Sequence, residues 1–263
     1  MKIIVIFCLI FSEYAFSAPK ELRLAEDAKT LVITPEHVPI GGRLQINSMP
    51  TLKKILFEAE GHSFTNLIHL VIFDNVALEN LIIHSDLFSS LKELDLNQNP
   101  SLEFLAVLGK RPALKSIHLT QNVHLKNLII APIVMEKLHS FHLLDSSLTE
   151  LVIPEVNILR NFHVQKNHDL KRLSLPKGMN NLKEFVVEDN DSLSSLSIPG
   201  GMPSLLSLRI NKNNELKTLK LEGPSTIRDL DISDNINLES FLIPRDWHLT
   251  ITHVCGNKTG SRC

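Results

Sequence analysis

The sequence predicts a β-dominated solenoid of short, stacked, parallel strands, on three observations. Leucine supplies 44 of the 263 residues. Apolar positions recur in one frame along most of the chain. Within each repeat the apolar residues alternate with polar ones, which is the period-two signature of a strand. A repeat of this length cannot bury its apolar face alone, so the fold must come from stacking neighbours.

The frame is clearest in Leu91, Leu94, Leu96, Asn99, Leu102, Leu105 and Val107. It returns as Leu114, Ile117, Leu119, Asn122, Leu125, Leu128 and Ile130, and again as Leu159, Phe162, Val164, Asn167, Leu170, Leu173 and Leu175. Further copies begin at Leu67, Leu138, Leu182, Leu205 and Ile227, so successive starts (67, 91, 114, 138, 159, 182, 205, 227) differ by 21 to 24 residues. Fainter copies lie around residues 44–55 and 249–254.

This frame resembles that of the leucine-rich repeat family, and the resemblance covers about residues 67–243. It implies a leucine-rich repeat solenoid, with the first strands of the repeats forming a curved parallel sheet on a concave face. Family members with long convex helices carry longer repeats. Here the second half of the repeat reads L-x-x-L-x-I and is often ended by a proline, as at Pro154, Pro176, Pro199 and Pro244. That pattern predicts extended segments or short second strands on the convex side, with very little helix.

Asparagines 75, 99, 122, 167, 190, 213 and 235 share one repeat position. Stacked in register, their amides can satisfy backbone groups where each strand turns inward, so they are read as structural. The copy at Leu138 departs, with Asp145 one residue early and Ser146 in the asparagine slot, and a local irregularity is expected there. Asn190 and Asn257 sit in N-x-[ST] sequons; a glycan on the inward-pointing Asn190 would be incompatible with the fold, whereas Asn257 is a feasible acceptor in a eukaryotic source.

Residues 1–18 read as a secretory signal: Lys2, an apolar run over residues 3–11, and small residues Ala15, Ser17 and Ala18 near the cleavage point. The run is too short to span a bilayer, and no other apolar stretch is long enough, so no membrane span is expected. A secreted, periplasmic or extracellular location follows. Residues 19–45 read as an N-terminal cap containing a strand over residues 30–34, residues 46–245 as the repeats, and residues 246–263 as a C-terminal cap. Two cysteines of an exported chain standing eight apart, Cys255 and Cys263, are expected to form a disulfide there. One elongated domain, monomeric, is the expectation.

The 27 basic and 29 acidic residues leave a net charge of −2, which argues against a nucleic-acid ligand. No nucleophile elbow, H-E-x-x-H helix or phosphate loop is present, and glycine is scarce at 10 residues. No enzyme activity, catalytic residue, cofactor or metal is therefore assigned. Most phenylalanines, including Phe141, Phe162 and Phe185, fall at core positions, which leaves few aromatic platforms for sugars.

The resemblance places the variable first-strand positions on the concave face, the usual binding surface of the family. The central column reads Val71, Asp95, His118, His142, His163, Val186, Arg209 and Asp231. The column two residues earlier includes His69, Glu93, Ser116, Glu184 and Asp229. Neighbouring strands lie ~4.8 Å apart, so His118, His142 and His163 should stack, with Asp95 extending the column. The stack reads as a solvated polar ladder, as a protonation-sensitive surface, or as a weak transition-metal site. The remaining His84, His124, His139, His168 and His253 fall outside the column and read as surface residues. Glu93, Asp95, His118, His142, His163, Arg209 and Asp231 are the candidate contacts for a protein ligand. A structural or adhesive spacer at a cell surface, or a pH- or metal-responsive binding protein, are the alternatives.

Overall fold

The computed structural model describes residues 29–59, 61–223 and 226–258; the expected signal segment and Cys263 lie outside them. The strands of the first part are β1 (Thr30–Ile33), β2 (Arg43–Asn47), β3 (Lys54–Phe57), β4 (His69–Phe73), β5 (Asn80–His84), β6 (Glu93–Asn97) and β7 (Phe104–Leu108). Next come β8 (Ser116–Asn122), β9 (Asn127–Ile130), the single α-helical turn α1 (Pro132–Met135), β10 (Ser140–Ser146) and β11 (Glu150–Val152). The chain continues through β12 (Asn161–Gln165), β13 (Arg172–Ser174), β14 (Glu184–Glu188), β15 (Ser195–Ile198) and β16 (Ser207–Asn211). It ends with β17 (Thr218–Leu221), β18 (Thr226–Asp231), β19 (Ser240–Phe241) and β20 (His248–His253). Apart from α1, helix is confined to two three-residue 3-10 turns among the described residues, so the expected β-dominated solenoid with short second strands is what forms.

The contacts divide the chain into two compact units, Met1–Leu114 with Asn122–Val134, and Lys115–Gln121 with Met135–Cys263. Each is a parallel β-solenoid. In the first, β2, β4 and β6 pair in that order as one sheet, and β1, β3, β5, β7 and β9 form the sheet of second strands. In the second, β8, β10, β12, β14, β16, β18 and β20 stack in that order, backed by the short sheets β11–β13 and β15–β17–β19. Ten first strands thus give about ten turns. Strands β2 and β20 lie in stretches that the leucine frame marks only faintly, yet both join the parallel sheets in register.

Alternation sets the layers. In β12 the pattern is inward for Phe162 and Val164 and outward for Asn161, His163 and Gln165. The same alternation holds in β2, β6, β8, β10 and β16, and the inward leucines and phenylalanines there are almost fully buried. Because parallel strands pair in register, like residues meet like: Phe141, Phe162 and Phe185 stack inside the second unit, ring centres 5.7 and 5.4 Å apart. Burying one such side chain against its neighbours stabilises by roughly 2–3 kcal/mol.

The asparagine ladder forms as expected. The Oδ1 of Asn99 accepts from the backbone N–H of Asn75, and its Nδ2 donates to the carbonyls of Ile72 and Asn97. Equivalent bonds bind Asn167, Asn190, Asn213 and Asn235 in the second unit. Two details differ from the sequence reading. Asn257 continues the ladder, accepting from Asn235 N–H and donating to Ile232 O, and is 7% exposed, so it is not a feasible glycan acceptor in the folded chain. At Ser146 the expected irregularity is absorbed chemically: its N–H and hydroxyl both donate to Asn167 Oδ1.

Asp145 is not out of place either. Each residue immediately before a ladder position is left-handed: Ser48, Asp74, Gln98, Gln121, Asp145, Lys166, Asp189, Lys212 and Asp234 all have φ between 54° and 60°. Gly256 does the same at φ 68°, where an added Cβ would stand 2.2 Å from Asp234 Oδ1. The turn that aims the amide inward thus demands a strained backbone at every repeat.

Candidate functional site: the outward face of the first strands

In the first unit, register places Gln45, Val71 and Asp95 in one column and Arg43, His69 and Glu93 in the next. His69 reaches diagonally, its Nε2 2.6 Å from Asp95 Oδ2 and its Nδ1 3.5 Å from Glu93 Oε2. Asp95, expected to extend the histidine column, is thus engaged with His69, a half-buried imidazole held between two carboxylates. Side-chain reach across the pleat, which strand spacing alone does not reveal, decides this. Val71 is only 6% exposed.

The second unit carries the stack. His142 pairs in register with His163, His163 with Val186, Val186 with Arg209, and Arg209 with Asp231. The ring centres of His118 and His142 are 4.7 Å apart, and those of His142 and His163 are 4.2 Å apart with planes 21° from parallel. His118 Nε2 lies 2.9 Å from Ser116 Oγ. The Nε2 atoms of His142 and His163 are shielded from solvent and have no hydrogen-bond partner among the described residues; Glu184 Oε2 is 3.3 Å from His163 Nε2 but off the line of a hydrogen bond. Burial, then the neighbouring His163 and His118, push the His142 ring down to about 4, so it is neutral at ordinary pH. A protonation step near pH 6 to 7 therefore does not reside in His142.

The imidazoles present faces to one another and do not converge lone pairs on a common point. Among the described residues no group of three His, Cys, Asp or Glu side chains is arranged to hold a metal.

Charged side chains surround this stack. Arg209 and Asp229 approach to 3.7 Å. Asp231 accepts from Asn211 Nδ2 at 3.0 Å and from Ser233 Oγ at 2.6 Å. Glu188 accepts from Gln165 Nε2 at 2.9 Å and lies 3.5 Å from Lys212 Nζ. Val186, in register between His163 and Arg209, is 4% exposed. His253, read from sequence as lying outside the column, pairs in register with Asp231 and continues it at the last strand. That strand lacks the leucine frame, which is why its register was not legible.

Of the seven candidate contacts, Glu93 and Asp95 belong to the first unit and His118, His142, His163, Arg209 and Asp231 to the second. Two clefts of about 570 and 580 Å³ lie on the second-strand side of the first unit; the smaller is lined by apolar Leu56, Phe57, Ile82 and Leu87. Neither includes any of the seven.

No family model matches the chain, and no curated protein does. A solved structure, that of a leucine rich cell surface protein from Faecalibacterium prausnitzii A2-165, is similar at 12% identity over 90% of this chain and 84% of that one, with a TM-score of 0.20. At that score the likeness bears no weight, and the reading of fold and face rests on the repeat frame and the geometry above.

Proposed function

We propose that the chain is an exported, non-enzymatic binding module whose protein ligand lies across the outward face of the first strands in the second unit. One observation carries the reading. His142, neutral at ordinary pH, is stacked between His118 and His163 in a half-buried column that leads to apolar Val186, and charged Arg209, Asp229, Asp231 and Glu184 stand around it. Partly shielded rings within a polar rim match the anatomy of a protein interface. Rigid rings already locked by stacking lose little side-chain entropy when a partner covers them.

The signal-like segment at residues 1–18 supports placing the module outside the cytoplasm. His69, Glu93 and Asp95 give the first unit a more polar face of its own, which suits orienting contacts better than a binding centre.

The test is affinity capture followed by mass spectrometry, using the wild-type chain beside a His118→Ala, His142→Ala, His163→Ala variant of matched circular dichroism. A protein retained by the wild type and lost by the variant supports the proposal. Equal recovery by both contradicts it and favours a spacer, which would tolerate the changes.

A further inference from the structure

A second surface of the second unit is independent of the histidine stripe. The residue immediately before β8, β10, β12, β14 and β16 is Lys115, His139, Arg160, Lys183 and Leu206 in turn, and Arg228, within β18, holds the equivalent register position. These are true neighbours, because backbone bonds link them one to the next: His139 N–H to Lys115 O, Arg160 to His139, Lys183 to Arg160, Leu206 to Lys183 and Arg228 to Leu206, at 2.7–2.9 Å. They form a row along the rim where the strands begin, one residue every ~4.8 Å.

The row is exposed at Lys115, Arg160, Lys183 and Arg228, and half-buried at His139. Several other cations of the unit are paired, Arg172 with Glu150, Lys220 with Glu222, Lys258 with Glu239, Lys212 with Glu188 and Arg209 with Asp229, while unpaired Lys166, Lys171 and Lys217 lie outside the row. Among the described residues no carboxylate stands within ion-pair distance of Lys115, Arg160, Lys183 or Arg228. Like charges on adjacent strands repel, so a row of this kind weakens the sheet unless an anion lies along it.

We propose that this rim binds a linear, sulfated polysaccharide, laid along the row with its sulfate groups against the cations. A linear array of cations matches a linear polyanion better than a globular one. The adjoining column offers the hydroxyl and amide groups of Ser116, Ser140 and Asn161 to sugar hydroxyls and turns acidic only at Glu184 and Asp229, which seats the polyanion toward the Lys115 end of the row. Single-stranded nucleic acid is disfavoured because the row contains no Phe, Tyr or Trp on which a base could stack.

The experiment measures binding of the full chain to a size-defined heparin oligosaccharide, to its desulfated counterpart, and to single- and double-stranded DNA. Three proteins are compared: the wild type, a Lys115→Gln, Arg160→Gln, Lys183→Gln variant, and a control Lys166→Gln, Lys171→Gln, Lys217→Gln variant, all with matched unfolding midpoints. The expected result is salt-sensitive binding of the sulfated probe by the wild type and control, at least tenfold weaker in the rim variant, and loss of binding on desulfation. Failure of the wild type to bind the sulfated probe at physiological salt overturns the proposal. So does equal weakening in both variants, or DNA binding as tight as that of the oligosaccharide. None of these outcomes touches the histidine stripe, which the capture experiment tests separately.

Discussion

The imidazole of His142 stacks on that of His163 with ring centres 4.2 Å apart. Directly behind them, Phe141 and Phe162 stack at 5.7 Å in the core. One register therefore builds two ring columns, one on each side of the same strands, and the outer column is polar in composition but uncharged at its centre.

That neutrality gives a pH dependence with a definite sign. His142 ionises at about 4 in the folded chain against the ordinary histidine value of 6.5, so between these values the unfolded chain holds the extra proton. Its contribution to stability is complete above about pH 6.5 and is lost as pH falls toward 4. Allowing for partial solvent screening, the loss is on the order of 1–2 kcal/mol. Denaturant unfolding at pH 7.5, 5.5 and 4.5 should show it, and His142→Phe should flatten that component. An unchanged slope in His142→Phe would assign the effect elsewhere.

Asn167 accepts from Ser146 N–H and Oγ and donates to Leu143 O and Gln165 O, all in a buried setting. Asn167→Ala strands several of these groups at once, and a loss of roughly 3 kcal/mol is expected in equilibrium unfolding. A loss below about 1 kcal/mol would mean that the ladder is ornamental to stability.

Asn190 and Asn257 are 0% and 7% exposed; Asn190 is bonded to the rungs on both sides of it, and Asn257 to Asn235 and Ile232 of the preceding repeat. Folded chain secreted from eukaryotic cells should therefore carry no N-linked glycan at either sequon. Intact mass before and after glycosidase treatment reads this directly; a shift mapped to Asn257 would place that residue outside the ladder.

Lys166 has φ 54° with its side chain exposed. Lys166→Val should cost about 1–2 kcal/mol because a β-branched residue resists the left-handed region, whereas Lys166→Gly should not. Thermal unfolding of the pair separates backbone strain from loss of the charge; equal effects would contradict the backbone explanation.

Much of this was legible in the sequence because burial writes itself in period. Leu94 and Leu96, two apart, gave the inner face; Asn99 and its equivalents gave the turn; and the repeat length alone put His118, His142 and His163 in one column. What escaped depends on quantities that residue type does not encode. The left-handed position is filled by Ser, Asp, Gln, Lys and Gly alike, since the demand falls on the backbone. His69 engages Asp95 by diagonal reach. His253 and Asn257 belong to a last repeat stripped of leucine. The cations of Lys115, Arg160 and Lys183 look ordinary until the stacked strands set them in one row.

The most direct test of the proposed binding face places a charge at its neutral centre. Affinity for the captured partner would be measured for the wild type, for His142→Asp, and for Arg172→Ala on the second-strand side as a control, with folding verified for each. At least tenfold weaker binding by His142→Asp, with Arg172→Ala unchanged, is the result predicted. Wild-type affinity in His142→Asp would contradict the account and remove the histidine stripe from the interface.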